Sequence, residues 1–191
     1  MKKVTFAVIG LLFINCVQIK SNPDAETDET KRNIDTHYDP EARLDSLGIV
    51  LRDPGSPLAN YVHAVRSGNL IFLAGKGPKQ ANGENIVGKL GAELSEEEGY
   101  NAAREAAINQ ISVLKSELGN LNKVKRIVSV HGMVNATPEF KDHSKVINGC
   151  SDLMVALFGE NGKHARAAVG MGSLPGNMAV EIEMVVELYE E

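Results

Sequence analysis

The sequence predicts an α+β domain, a mixed β-sheet with two helices packed on one of its faces. Three observations predict it. Strand-like runs come in pairs at both ends of the globular region. Two segments with apolar residues at helical spacing lie between those pairs, separated by one further strand-like run. The resulting order, β-β-α-β-α-β-β, mixes strands and helices without strict βαβ alternation, which favours helices gathered on one sheet face.

The domain occupies residues 44–191. Tyr61 to Arg66 alternates, Ser67-Gly68-Asn69 is a turn, and Leu70 to Gly75 is almost continuously apolar. Two strands around a glycine turn make a hairpin, and the second, lacking a polar side, must be covered on both faces. A glycine-rich loop follows from Lys76 to Leu94, with a small strand around Ile86-Val87. Ser95 then opens the clearest helix: it can cap, and Glu98 stands at the capping-box position. Ala103, Ala107, Ile111, Leu114 and Leu118 share one face, Gly119 supplies the stop, and four alanines allow close approach to a sheet. Val124 to Val134 is rich in β-branched residues and reads as a strand. Thr137-Pro138-Glu139 reads as the start of a second helix, whose stripe is Val146, Cys150, Leu153, Met154 and Leu157, ending at Gly159. Cys150 on that stripe is expected to be a small core residue. Ala165–Met171 and Ala179–Leu188 close the sheet; in the latter Val180, Ile182, Met184, Val186 and Leu188 point one way and Glu181, Glu183 and Glu187 the other.

The 191 residues carry a formal charge of −5. The first 16 differ in kind from the rest. Met1-Lys2-Lys3 is a short basic start, Val4 to Ile14 is apolar or small, and Cys16 follows Asn15. The apolar run is about half of what a bilayer span needs, and it fits the core of an export signal. Its junction resembles the lipobox of bacterial lipoproteins, with Cys16 as the lipidated residue; the alternatives are a plain signal peptide and an uncut hydrophobic anchor. The expectation is an exported protein of the cell envelope, periplasmic or lipid-anchored, touching membrane only through that anchor. Cleavage before Cys16 removes two lysines and no acid, so the charge goes from −5 to −7. Residues 17–43 are polar and acidic without apolar period, and read as a flexible tether.

Composition narrows the chemistry. The acidic balance opposes nucleic-acid binding, which draws on counterion release. With two cysteines, no Trp and 5% aromatics, neither a disulfide framework, a thiolate zinc site nor a base-stacking platform is expected. No phosphate-binding loop or nucleophile elbow is present, and the five histidines are scattered, so no metal site is expected. Two features stand out. Arg166 lies in a run of Ala, Val and Gly, where a guanidinium must find water or an anion; it suits bidentate carboxylate capture or an ion pair with a last-strand glutamate. Glu181 and Glu183 line either a solvated strand face or an acid–base site paired with Arg166 from a neighbouring strand.

Those residues carry a resemblance. His164-Ala165-Arg166-Ala167-Ala168-Val169, then Leu174-Pro175, then Val180-Glu181-Ile182-Glu183 resemble the C-terminal signature of the RidA/YjgF family. Tyr61 to Gly75 is similar to that family's N-terminal hairpin, and Asn148 within Val146-Ile147-Asn148-Gly149 to its helix asparagine. The resemblance covers residues 47–188. It implies a chorismate-mutase-like fold, three subunits packing their sheets into a central barrel, and ligand clefts at the subunit interfaces. It implies hydrolysis of 2-imino acids or their enamine tautomers to 2-keto acids and ammonia. Arg166 would clamp the substrate carboxylate and Glu181 would position or activate the water. Tyr61, Gly75, Asn148 and Ala168 would shape the cleft. No cofactor is implied, because the imine carbon is already electrophilic. The chain departs from the family where Ala74 and Lys76 replace the usual Ser and Gln around the hairpin glycine, adding a cation near the anion site. A non-catalytic carboxylate-binding trimer of the envelope fits the same residues. So, more weakly, does the endoribonuclease label of some relatives.

Overall fold

The computed structural model of the protein describes residues 38–190. Cys16, the apolar start and residues 17–37 of the expected tether lie outside the described residues. A five-stranded sheet has the order β1-β2-β5-β3-β4. Its strands are β1 (Ala64–Ser67), β2 (Leu70–Lys76), β3 (Val124–Asn135), β4 (Ala165–Met171) and β5 (Val180–Leu188). All neighbours are antiparallel except β3 and β4, which run parallel and are joined through a helix. The helices are α1 (Pro40–Ser46), α2 (Glu96–Leu118) and α3 (His143–Phe158). This is the expected α+β layer.

α2 forms as its sequence dictates. Ser95 accepts from the Glu98 amide while the Glu98 side chain reaches back to Ser95 N, a complete capping box, and Gly119 ends the helix in the left-handed region at φ 70°. Ala102, Ala103, Ala106 and Ala107 are fully buried, so α2 lies close against its neighbours. The core is one cluster between helices and sheet, from Ile71 and Leu73 through Ile111, Leu114, Ile127 and Val130 to Ile182, Met184 and Val186. Cys150 is completely buried within it, as its place on the stripe requires.

The position of α3 is set by two glycines. A Cβ on Gly149 would stand 2.0 Å from the Tyr100 carbonyl oxygen of α2, so the two helix backbones touch there. A Cβ on Gly132 of β3 would stand 2.6 Å from Ile147, so Gly132 makes the room that Ile147 fills. With Ile147 against the sheet and Gly149 against α2, Asn148 and Ser151 fall on the remaining side of α3, one turn apart.

Three boundaries differ from expectation. α3 begins at His143, not at Thr137-Pro138-Glu139. Those residues make a turn instead, closed by Phe140 N donating to Thr137 O at 3.2 Å, and proline suits the second place of such a turn as well as a helix start. β1 begins at Ala64, so Tyr61 precedes the strand. The acidic segment stops being a tether before residue 43. Asp39 caps α1, Leu44 is buried, and Tyr38 and Arg43 both donate to the Ala156 carbonyl at the end of α3, at 3.1 and 2.9 Å. Glu41 meets Lys115 at 2.7 Å and accepts from Leu121 N at 2.6 Å. Its acidity read as solvation; in the fold it satisfies the end of α2.

Candidate functional site

The register decides which way each site residue points. Arg166 pairs with Val130, and Glu181 with Met133. Val130 is buried beneath the helices, so Arg166 and, two residues on, Ala168 lie on the helix side of the sheet. Met133 and Glu181 lie on the opposite, open side. β3 also stands between β4 and β5, so the expectation that Arg166 and a last-strand glutamate share neighbouring strands is overturned. At ordinary strand spacing the two residues start about 10 Å apart and diverge.

On the helix side, Arg166 leans against α3. Its Nη1 donates to Asn148 Oδ1 at 2.8 Å and to Ser151 Oγ at 3.0 Å. That uses both hydrogens of Nη1. Nε and Nη2, the edge that matches two carboxylate oxygens, have no partner among the described residues, and Arg166 is exposed. Arg166 makes no ion pair among those residues. Ala168 is partly buried against the core beside it. Burial pushes the Cys150 thiol up to about 12, against the opposing pull of Arg166, so this neighbour takes no part as a thiolate.

Sequence reasoning passed over two residues here. Ser151 Oγ lies 3.1 Å from His164 Nε2, and His164 Nδ1 lies 2.7 Å from the Gly162 carbonyl oxygen. The spacings Asn148-x-x-Ser151 on a helix and His164-x-Arg166 leading into a strand were available signals, but only the packing of α3 on β4 joins them.

A second group gathers at the hairpin. Glu181 crosses over Gly75: a Cβ there would stand 2.0 Å from Glu181 Oε1. Gly75 sits where the β2–β5 register shifts, between Leu73 and Lys76. Gln110 of α2 is fully buried and braces this irregularity, its Nε2 donating to the carbonyls of Ala74, at 3.0 Å, and Ile182. Burial, then the like charge of Glu183, push the Glu181 carboxyl above its usual range. Lys76 has no carboxylate partner among the described residues; its Nζ lies 2.6 Å from His63 Nδ1, and burial lowers its pKa. Tyr61 is half exposed and meets the His63 ring edge-on at 6.4 Å between centroids. The structure thus brings Arg166, Asn148 and Ala168 together, and separately Gly75 and Glu181, without joining the groups within one chain; Tyr61 meets His63 and neither group directly.

A mixed sheet with both helices on one face, an arginine from an edge strand and a glutamate over a hairpin glycine define a domain of the YjgF type. Residues 41–188 match the family described as "YjgF/chorismate mutase-like, putative endoribonuclease", and the chain belongs to it, the RidA family. It is 44% identical over 148 residues to Protein TCP17 of Trypanosoma cruzi, covering 77% of this chain and 92% of that protein. Among solved structures it is similar to a protein of unknown function from Agrobacterium tumefaciens, at 39% identity and TM-score 0.72, over 78% of this chain and 94% of that one. It is also similar to a "putative endoribonuclease" from Shewanella oneidensis, at 32% identity and TM-score 0.76, over 78% and 99%.

Proposed function

We propose that the protein is a RidA-like hydrolytic deaminase that converts 2-imino acids or their enamine tautomers to 2-keto acids and ammonia. The observation that carries this reading is the state of Arg166: one terminal nitrogen is fixed by Asn148 and Ser151, and the bidentate edge is left open for a carboxylate. Water adds to the carbon of the protonated imine as one of its protons passes to Glu181. Glu181 returns that proton to the nitrogen, the carbinolamine hydroxyl gives its own proton to Glu181 as C=O forms and the C–N bond breaks, and ammonia leaves. Burial raises the Glu181 carboxyl above its usual range, which makes it a better proton acceptor than an exposed glutamate.

Because Arg166 and Glu181 face opposite sides of one sheet, the reading needs a second copy to supply the missing half of each cleft. The open face supports such an assembly. Val65, Phe72, Val169 and Met171 lie on it at 56, 45, 38 and 36% exposure, an apolar surface of the kind that a homotrimer would cover. The second reading, a non-catalytic trimer that binds small carboxylates, is favoured by one fact: Arg166 is held open by Asn148 and Ser151 with Glu181 on the other side of the sheet.

The test is keto-acid release by the purified full-length chain supplied with imino acids generated in situ, beside Arg166→Ala. Release that Arg166→Ala abolishes supports the deaminase. Ligand-dependent stabilisation against melting without release selects the binder. Some relatives carry endoribonuclease names, and a formal charge of −5 weighs against that chemistry here. Salt-dependent RNA binding would restore it. The reading extends to an exported protein of the cell envelope, supported by the basic start, the apolar run and Cys16; the mass of the N-terminal peptide from cells tests it.

A further inference from the structure

The cluster around Ser151 holds more than a carboxylate clamp needs. With a neutral imidazole, each of its hydrogen bonds runs in one direction. The Gly162 carbonyl can only accept, so His164 Nδ1 carries the hydrogen and donates over 2.7 Å. His164 Nε2 is therefore the bare nitrogen, and the Ser151 hydroxyl donates to it over 3.1 Å. A guanidinium can only donate, so Arg166 Nη1 gives one hydrogen to a lone pair of Ser151 Oγ. The other goes to Asn148 Oδ1, which turns the amide so that Nδ2 faces away from the arginine. That Nδ2 has no partner among the described residues.

These are the parts of an acyl-transfer site: a hydroxyl nucleophile, a base, a carbonyl that orients the base, and a guanidinium beside the oxygen that attacks. We propose that Ser151 is an acyl-accepting nucleophile activated by His164, and that its substrates are esters of small dicarboxylic acids whose free carboxylate sits on the open edge of Arg166. Ser151 Oγ attacks the ester carbonyl and its proton passes to His164 Nε2. The charge on the tetrahedral oxygen develops beside the Arg166 guanidinium. The C–O bond to the alcohol breaks with the proton returned to the leaving oxygen, and water, deprotonated by His164, releases the acid. Burial first, and the Arg166 charge with it, lower the His164 pKa against the opposing bond to Gly162, which keeps the imidazole in its basic form.

This goes beyond imine hydrolysis. It shares with that reading the carboxylate-holding role of Arg166 and its supports Asn148 and Ser151, and every group it uses comes from one chain, without Glu181. The experiment mixes the full-length chain with 4-nitrophenyl acetate and, separately, with the 4-nitrophenyl monoester of glutaric acid, and follows nitrophenolate in the first turnovers. The expected result is a burst approaching one equivalent per chain, an acyl adduct on the peptide carrying Ser151, and loss of the burst rate by about a hundredfold or more in Ser151→Ala. Ser151→Cys should restore acylation at that position. Arg166→Gln should slow both esters and, in addition, remove the preference for the charged one, so the ratio of the two rates separates failure of the clamp from failure of the nucleophile. No burst in the wild type, an adduct confined to lysines, or a burst unchanged in Ser151→Ala would overturn the proposal.

Discussion

Gly75 and Glu181 are in contact across the β2–β5 register shift, so close that a side chain at 75 would occupy the place of Glu181 Oε1, 2.0 Å from the built Cβ. A glycine is required there by the carboxylate and not by a turn. Gly75→Ala should therefore move Glu181 without breaking the fold, because what gives way is the end of a flexible side chain. The expected outcome is a fall in keto-acid turnover of about a hundredfold, the usual effect of a misplaced catalytic group, with melting temperature little changed. A large fall in melting temperature, or full turnover, would contradict this assignment.

The charge on Glu181 gives a pH prediction. Burial and then Glu183 raise its pKa above 4.5, and in the proposed deaminase reaction Glu181 takes the water's proton in its ionised form. Turnover per substrate concentration should rise with pH through that raised value, so the acidic limb lies above the range of an ordinary glutamate. Glu183→Gln removes the like charge and leaves the burial. The limb should move to lower pH while the plateau holds, read from kcat/KM across pH.

Glu187 gives a stability prediction of opposite sign. It is 7% exposed and joins β5 to β3 through Lys125 at 2.8 Å and Arg126 at 2.5 Å, and to the hairpin turn through Asn69 at 3.1 Å. Burial alone would raise its pKa, but the bonds from Lys125 and Arg126 outweigh that and hold the carboxyl below 4.5. A carboxyl lowered in the folded state stabilises above its unfolded pKa, and that stability is lost as pH falls through the folded one. Glu187→Gln should cost about 1–3 kcal/mol at neutral pH. The gap between the two proteins should narrow as pH falls below 4.5, measured by denaturant titration at several pH values.

The fold was legible because its signals are local. The Ser95–Glu98 box, the alanine face of α2 and the alternation of Val180 to Leu188 each act within one element. The start of α3 was misread because Pro138 serves a turn as readily as a helix. Arg166, Asn148 and Glu181 could be singled out by type and resemblance. Their grouping could not, because it depends on the Val130–Arg166 and Met133–Glu181 register and on β3 lying between β4 and β5. Ser151 and His164 carry only their spacing to Asn148 and Arg166, which does not show that they meet, and Gln110 carries no signal of its own. Gln110 looks like one more polar residue of a helix until the register shift in β2 leaves carbonyls for it to satisfy.

Gly149 ties that packing to the site. Its missing side chain sets the depth at which α3 lies against α2, and α3 carries both Asn148 and Ser151 to Arg166. Gly149→Ala would press a Cβ to 2.0 Å from the Tyr100 carbonyl oxygen and 3.1 Å from the Arg104 amide nitrogen. Both are main-chain atoms, so no rotamer change relieves the clash and the helices must separate. Overpacking of this kind costs about 1–3 kcal/mol, here toward the upper end. The denaturation midpoint should fall with little change in slope. α3 would also carry its two acceptors away from Nη1 and free the guanidinium to swing, so carboxylate binding should weaken along with stability. Ala168→Gly, which leaves the depth of α3 untouched, should weaken neither by as much. If Gly149→Ala lowered stability but left ligand affinity intact, Arg166 would owe its orientation to β4 alone.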